Sequence, residues 1–302
     1  MMQPFLTTIL FAADDSLGAI EAGRAALALA DMTGAALHVV HAWRVPEVHA
    51  DPTLSAHERT FAAGLYEQRG RDVLAAVLER LEAAGATIAG AELRHGPPAE
   101  AVLNEAEAVG ADLIVVGSRG FGPAKRVMLG SVAEAIVRGA SCPVLTVRGA
   151  PGDWPPARII VGDDGSAEAR RAGELAAAIG GAAGAGGLLI REVPMLPVAD
   201  GADAARAAAV QSAAFDRAGR YLARRAEALA PLLGQPPVTR TTAETAAIAL
   251  LEAAEQGAGP ALLALGTRGS GATGQLWLGS TAIRVLTCAP GAVLIIPHRA
   301  VT

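Results

Sequence analysis

The chain repeats itself. Residues 6–18 read LTTILFAADDSLG and residues 156–168 read PARIIVGDDGSAE, each an apolar run that ends in an acidic residue two places before a serine. Residues 112–131, DLIVVGSRGFGPAKRVMLGS, and 261–280, ALLALGTRGSGATGQLWLGS, match more closely: apolar residues run into G-x-R-G, nine residues follow, then G-S. Two matches at offsets of 150 and 149 define a tandem duplication of the 302-residue chain, and each copy is of ordinary domain size, ~150 residues. The expected organisation is one domain over 1–149, a linker over 150–156 that reads APGDWPP, and a second domain over 157–302.

Within each copy, short apolar runs alternate with longer helical patterns, the signature of βα units and a parallel sheet. Copy one places strands near Ile9–Ala13, Ala36–His41, Ala89–Arg94, Leu113–Gly117 and Val144–Val147, with helices near 19–32, 60–84, 98–109 and 132–139. Val73, Val77, Leu78 and Leu81 have the spacing of one helix face. Copy two places strands near Arg158–Gly162, Gly187–Arg191, Val238–Thr242, Leu262–Gly266 and Val293–Ile296. The predicted fold class is therefore α/β, two tandem Rossmann-like domains, each a five-stranded parallel doubly wound sheet. The stretches Gly180–Gly187 and Pro194–Asp203 are expected to be the least ordered, and Cys142 and Cys288 to be small core residues.

Composition removes several classes. Hydrophobic residues make up 52% and charged residues 18%, the reverse of a disordered chain. The longest run without a charge, Leu175–Ile190, is 16 residues and Gly-rich, short of the ~20 apolar residues of a membrane span. Met1–Thr8 has no basic residue ahead of an apolar run, so no secretory signal is expected and the default compartment is the cytoplasm. The copies carry 12 basic against 17 acidic residues and 13 against 13, and aromatics are 3%, which argues against a nucleic-acid platform. His49 and His57 lack metal-ligand spacing, and the cysteines form no C-x-x-C.

In an open parallel sheet, ligands bind beyond the carboxyl ends of the strands, where strand order reverses. The motifs fall there: Asp14 and Ser16 follow strand one, and Gly117, Arg119 and Gly120 follow strand four. Copy two offers Asp164, Ser166, Gly266, Arg268 and Gly269 in the same places. Glycines allow backbone N–H groups close to an anion, and Gly130-Ser131 opens a helix whose N-terminus favours negative charge. A polyphosphate suits this arrangement, with Asp14 or Asp164 accepting from a ribose hydroxyl. Simpler roles compete. Ser131 and Glu134 have the spacing of a capping box, Asp14 and Asp164 of turn-formers, and Gly117 of a residue that lets a helix pack closely.

Two lookalikes fail. Residues 269–274, GSGATG, fit G-x-G-x-x-G, but that dinucleotide fingerprint expects an acidic residue ~20 positions later, and 275–302 contains none. Lys125, the only lysine, is not preceded by glycine, so there is no Walker A loop.

The spaced G-x-x-G, nine residues, G-S motif together with the strand-one D-x-S resembles the universal stress protein family, over nearly the whole chain and twice. The resemblance implies an adenine nucleotide alpha hydrolase-like fold and ATP binding, with or without magnesium, in stress response or signalling. It implies that Ala12, Ala13 and Asp14 line the ribose and adenine side, that Val39 meets adenine, and that Val116, Gly117, Arg119 and Gly120 surround the phosphates. Gly130, Ser131 and Val132 would hold the terminal phosphates. In copy two the matching positions are Gly162, Asp163, Asp164, Ile190, Leu265, Gly266, Arg268, Gly269, Gly279, Ser280 and Thr281. Copy two departs at Thr242-Ala243-Glu244, where copy one has His95-Gly96-Pro97, and at Leu188-Leu189-Ile190, where copy one has Leu37-His38-Val39. On sequence, copy one is the better match.

Catalysis is not expected to be the main business of this chain. Phosphoryl transfer needs a positioned base and usually metal-held charge, and only Asp14, Asp164, Ser131 and Ser280 stand near, enough for slow hydrolysis or self-phosphorylation at most. The alternative function is a module of the same fold that binds no nucleotide and serves interaction or dimerisation. The apolar strands Val144–Val147 and Val293–Ile296 would then pair as an intrachain pseudo-dimer, with a homodimer of whole chains as a further option. A nucleotidyl-transfer enzyme is disfavoured, since no S-G-G-x-D-S loop follows either first strand.

Overall fold

The computed structural model describes residues 6–46, 53–118, 129–148, 154–197, 202–267 and 278–298. The chain divides into two compact units, Met1–Arg148 and Gly149–Thr302. The first alternates β1 (Thr8–Ala12), α1 (Leu17–Thr33), β2 (Ala36–Trp43), α2 (Ala56–Ala83), β3 (Ile88–His95), α3 (Pro98–Ala108), β4 (Leu113–Gly117), α4 (Ser131–Gly139) and β5 (Val144–Val147). Its strands pair in parallel in the order β3-β2-β1-β4-β5. The second unit alternates β6 (Arg158–Gly162), α5 (Ala167–Ala183), β7 (Gly186–Glu192), α6 (Ala202–Leu233), β8 (Val238–Thr242), α7 (Ala246–Gln256), β9 (Ala261–Gly266), α8 (Ser280–Cys288) and β10 (Ala292–Ile296). Its parallel order, β8-β7-β6-β9-β10, is the same.

The sequence of the strands explains where the core lies. Ile9, Leu10 and Phe11 on β1 and Leu113 to Val116 on β4 are buried without alternation, as strands covered on both faces require, whereas the edge strand β3 is partly exposed. Helix α1 turns Ala19, Ala22, Gly23, Ala25, Ala26, Leu27 and Leu29 inward. These small side chains let it lie close to the sheet: a Cβ on Gly23 would stand 3.2 Å from the Phe11 ring. On α6, Ala218, Leu222, Ala226, Leu229 and Leu233 form one buried stripe at helical spacing.

Local stop and start signals recur between the copies. Ser16 caps α1 by accepting from Ala19 N–H, and Ser166 caps α5 by accepting from Ala169 N–H. Gly34 and Gly184 end those helices at φ of 74° and 69°, a left-handed conformation that costs glycine nothing.

The structure departs from the sequence reading in three places. Helix α2 starts at Ala56 instead of near residue 60, because Ser55 Oγ accepts from Glu58 N–H at 3.2 Å while Glu58 Oε2 accepts from Ser55 N–H at 2.8 Å. The stretch Gly180–Gly187 is the end of α5, its cap and the start of β7, and its glycines admit the end of α6. A Cβ on Gly180 would stand 2.9 Å from Leu233 Cδ1, and one on Gly187 would stand 2.5 Å from Leu233 Cδ2. Cys142 is buried as expected, but Cys288, at the end of α8, is exposed. Of Pro194–Asp203, residues 198–201 lie outside the described residues; α6 begins at Ala202, and Gln211 accepts from Leu196 N–H at 2.8 Å.

Candidate functional site

In each unit the strand order reverses between the first and fourth strands, β1 and β4 or β6 and β9. The turn after β1 is set by Asp14, whose Oδ1 accepts from Ser16 N–H at 2.9 Å; Asp164 repeats this with Ser166 N–H at 2.9 Å. Both aspartates therefore form the turn that starts a helix, and this turn holds them at the carboxyl edge of the sheet.

The fourth strands lead to an open helix N-terminus. Gly130 N–H donates to Ser118 O at 2.8 Å, and Gly279 N–H donates to Thr267 O at 2.8 Å, so each G-S pair is tied back to the end of its strand. Gly130 and Gly279 are the N-cap residues of α4 and α8, and neither helix has a side-chain cap. The suggested Ser131–Glu134 capping box does not form: Ser131 is the first helical residue, and Glu134 instead accepts from Arg138 Nη2 at 2.7 Å. The first N–H groups of such a helix have no intrahelical acceptor, and the helix dipole favours an anion there. Ser131, Val132 and Ser280 are exposed. Gly117 has a packing role as well, since a Cβ there would stand 2.7 Å from the Gly18 carbonyl carbon and 2.9 Å from Ala19 N.

In the second unit these features enclose a cavity of about 570 Å³, within the ~300–1,000 Å³ of small-molecule sites. Gly162, Asp163, Asp164, Ile190, Leu265, Gly266, Gly279, Ser280 and Thr281 all line it, nine of the positions picked out in copy two. Arg268 and Gly269, like Arg119 and Gly120, lie outside the described residues.

In the first unit Ala12, Ala13, Asp14, Val116, Gly117, Gly130, Ser131 and Val132 reach the same edge. One first-unit cavity among the described residues, about 200 Å³, lies between α1 and α2 and includes Asp14 alone of them. The register also shifts one correspondence: Ala12 pairs with Val40 and Gly162 with Ile190, so Val40, one residue beyond Val39, holds the place of Ile190.

Below the second cavity lies a polar cluster. Asp163 is 0% exposed at its side chain; its Oδ1 accepts from Tyr221 Oη at 2.8 Å and Gly165 N–H at 2.9 Å, and its Oδ2 from Arg225 Nε at 3.1 Å. Its carboxylate is thus engaged by the protein. Burial and the bond to Asp163 push the Tyr221 phenol above its usual pKa. Arg191, on the cavity wall, stacks its guanidinium 4.6 Å over the Tyr221 ring, while its buried Nη1 has no hydrogen-bond partner. Such an orphan donor costs about 1–3 kcal/mol, more when charged. Glu192 Oε2 accepts from Ala246 N–H at 2.8 Å and so serves the start of α7, where Thr245 supplies no side-chain cap. In the first unit Pro97 and Pro98 open the corresponding helix after Gly96 at φ 129°.

Sequence reasoning missed Arg191, Glu192, Tyr221 and Arg225. Arg191 and Glu192 carried one available signal, their place directly after the apolar run of β7. Tyr221 and Arg225 share a helix face by their four-residue spacing, but nothing in the sequence pairs that face with Asp163.

The doubly wound parallel α/β domain is present twice, and in the second unit a cavity walled by glycines and an uncapped helix start lies at its switch point. The universal stress protein family model matches residues 6–148 and again 156–297. The chain belongs to the universal stress protein family, as a tandem member with the Rossmann-like, adenine nucleotide alpha hydrolase-like fold. A universal stress protein of Thermus aquaticus is 40% identical over 142 residues, 47% of this chain and 98% of that protein. A universal stress protein from Archaeoglobus fulgidus has the same fold across 96% of this chain and 98% of its own, with a TM-score of 0.68 and 20% identity. A Pseudomonas aeruginosa protein described as functionally unknown covers 98% of this chain and 94% of its own, with a TM-score of 0.66 and 17% identity. Among the described residues, no helix is long and apolar enough to cross a membrane.

Proposed function

We propose that the chain is an ATP-binding tandem universal stress protein that acts in stress response or signalling in the cytoplasm, by binding and not by rapid turnover. The observation that carries this reading is the second-unit cavity: glycine backbone, an uncapped helix start at Gly279-Ser280 and Asp164 converge on one volume of suitable size. Gly279, Ser280 and Thr281 would hold phosphates, with magnesium where the terminal phosphate requires it. Asp164 would face the ribose, and Ile190 and Leu265 the base. Asp163 serves the fold through its carboxylate and meets the ligand through its backbone. Ala12, Asp14, Gly117, Gly130 and Ser131 would do the same work in the first unit; Arg119, Gly120, Arg268 and Gly269, which lie outside the described residues, are assigned to the phosphates by the family resemblance alone. Pairing of the apolar strands β5 and β10 within one chain, and of whole chains into a homodimer, belongs to the same proposal.

The test is to purify the chain without added nucleotide, denature it and quantify released ATP, ADP and AMP per chain. Near two supports both units, and near one indicates that a single unit binds. No release, followed by no heat on titrating ATP with magnesium, would leave an interaction module, whose particle mass light scattering would report.

A further inference from the structure

We propose that the first-unit cavity between α1 and α2 is a binding site for a small aromatic carboxylic acid, separate from the proposed nucleotide edge except at Asp14, which borders both. Phe11, Gly23, Leu27, Val77 and Leu81 line it and are buried, and its volume is about 200 Å³. Gly23 keeps the space beside the Phe11 ring free of a side chain: a Cβ there would stand 3.2 Å from Phe11 Cε1 and 3.4 Å from Leu81 Cδ2. Asp14 lies at one end, where its Oδ1 accepts from Ser16 N–H, and Leu27 lies at the other. Between them Ala19 to Leu27 spans about 12 Å of α1.

The second unit occupies the same place with its own side chains. Gly173 corresponds to Gly23, and a Cβ on it would meet Leu229 as one on Gly23 would meet Leu81, so Arg225, four residues before Leu229, corresponds to Val77. Arg225 Nη2 donates to Arg170 O at 3.0 Å, Nη1 lies 3.6 Å from Glu174 Oε1, and Nε donates to Asp163. Arg170 and Glu174 are the counterparts of Ile20 and Arg24, which line the first-unit cavity. Val77 is too short to reach as Arg225 does, and Ala13 offers no carboxylate. The first unit thus keeps open and apolar a volume that its sister copy fills with an ion pair.

The chemistry of the opening selects the occupant. Arg24 on α1 and Arg80 on α2, both exposed, border the cavity. Arg24 Nη1 donates to Glu21 Oε1 at 2.8 Å and Arg80 Nε to Ala76 O at 3.0 Å, which leaves each guanidinium further N–H groups. Those donors suit a planar carboxylate. A cavity of ~150 Å³ lined by Leu, Ile and Phe takes a benzene ring. The slightly larger one here takes such a ring against Phe11, Val77 and Leu81 and leaves the carboxylate at the two arginines. An inorganic anion at the arginines would leave the apolar lining against water.

The test is NMR titration of the isotope-labelled full chain with benzoate, benzamide and acetate, following the amides of Gly23 and Leu81. Benzoate is expected to shift them saturably and to bind about fivefold more tightly than benzamide, the gain of two exposed arginine–carboxylate pairs, while acetate leaves them in place. The double variant Arg24→Gln with Arg80→Gln should bring benzoate down to benzamide, and Val77→Phe, which fills the volume, should abolish both. Thermal melts establish that each variant is folded, and Leu27→Phe carries the filling test should Val77→Phe unfold. Benzoate that gives no saturable shift, acetate that acts as strongly as benzoate, or binding that survives the filled cavity would overturn the proposal. A particle mass that rises with concentration and falls back in Val77→Phe would assign the cavity to a second copy of the chain and overturn it as well.

Discussion

The carboxylate of Asp163 and the guanidinium of Arg225 form a shielded ion pair, Oδ2 to Nε at 3.1 Å, that ties the end of β6 to the middle of α6. The first unit has Ala13 at the place of Asp163, paired by the same backbone bond to its neighbour strand. The two copies therefore share a fold and differ in what holds the long helix to the sheet. Removing one partner of such a pair leaves a buried charge. Asp163→Ala is expected to destabilise the second unit by about 3–5 kcal/mol, and Asp163→Ala with Arg225→Leu by less, because the stranded cation is gone. Urea unfolding followed by circular dichroism measures both, and a double variant as weak as the single would contradict the account.

Glycine positions separate crowded sites from open ones. A Cβ on Gly181 would stand 2.0 Å from the Leu232 carbonyl oxygen, a backbone atom that cannot step aside. Gly64 on α2 and Gly219 on α6 have nothing within 4 Å. Gly181→Ala should cost about 1–3 kcal/mol or more, while Gly64→Ala and Gly219→Ala should each gain about 1 kcal/mol from helix propensity. Thermal melts decide the sign at each position.

Gly117→Ala should lower thermal stability with no nucleotide present, by about 1–3 kcal/mol, because the new Cβ meets the backbone at Gly18 and Ala19. Ser131→Ala should leave stability within about 0.5 kcal/mol, as Ser131 is exposed and caps nothing. Loss of nucleotide from Ser131→Ala would therefore report on binding. The same loss from Gly117→Ala would not, unless its fold were first shown to be intact.

Asp112 supplies a defined acid dependence. Burial pushes its carboxyl up, but hydrogen bonds from Thr7 Oγ1, Thr7 N–H and Thr8 N–H outweigh burial and hold it below the ordinary value of 3.8. A carboxylate whose pKa is lower in the folded state adds stability above its unfolded pKa and loses it as pH falls through the folded value. Asp112→Asn should thus destabilise the first unit at pH 7 and flatten the fall in its stability below about pH 4. Unfolding midpoints measured from pH 7 to pH 2 test this, and curves parallel to wild type would refute it.

Arg158 caps the far end of α7: Nη1 donates to Ala253 O at 2.8 Å, Nη2 to Ala254 O at 2.9 Å and Nε to Ala258 O at 3.0 Å. Arg158→Ala leaves those carbonyls without their cation and should cost about 1–3 kcal/mol. Faster amide exchange confined to α7 and the start of β6 is the expected signature.

The sequence by itself determined the repeat, the alternation of strand and helix, the parallel sheet of each copy and the edge on which the motifs lie. Hydrophobic period, turn chemistry at Asp14 and Asp164, and caps at Ser16, Ser166, Gly34 and Gly184 are local properties, readable within a few residues. Only tertiary structure decided that Asp163 is consumed by Tyr221 and Arg225, that Gly180, Gly181 and Gly187 form a seat for α6, and that Ser131 does not cap its helix. It also decided that nine of the positions picked out in copy two line one cavity, with Arg191 on its wall. Those facts depend on which side chains, some 30 to 60 residues apart in sequence, are pressed together when the helices pack. The period of a single segment records which face is apolar, not which partner that face will meet.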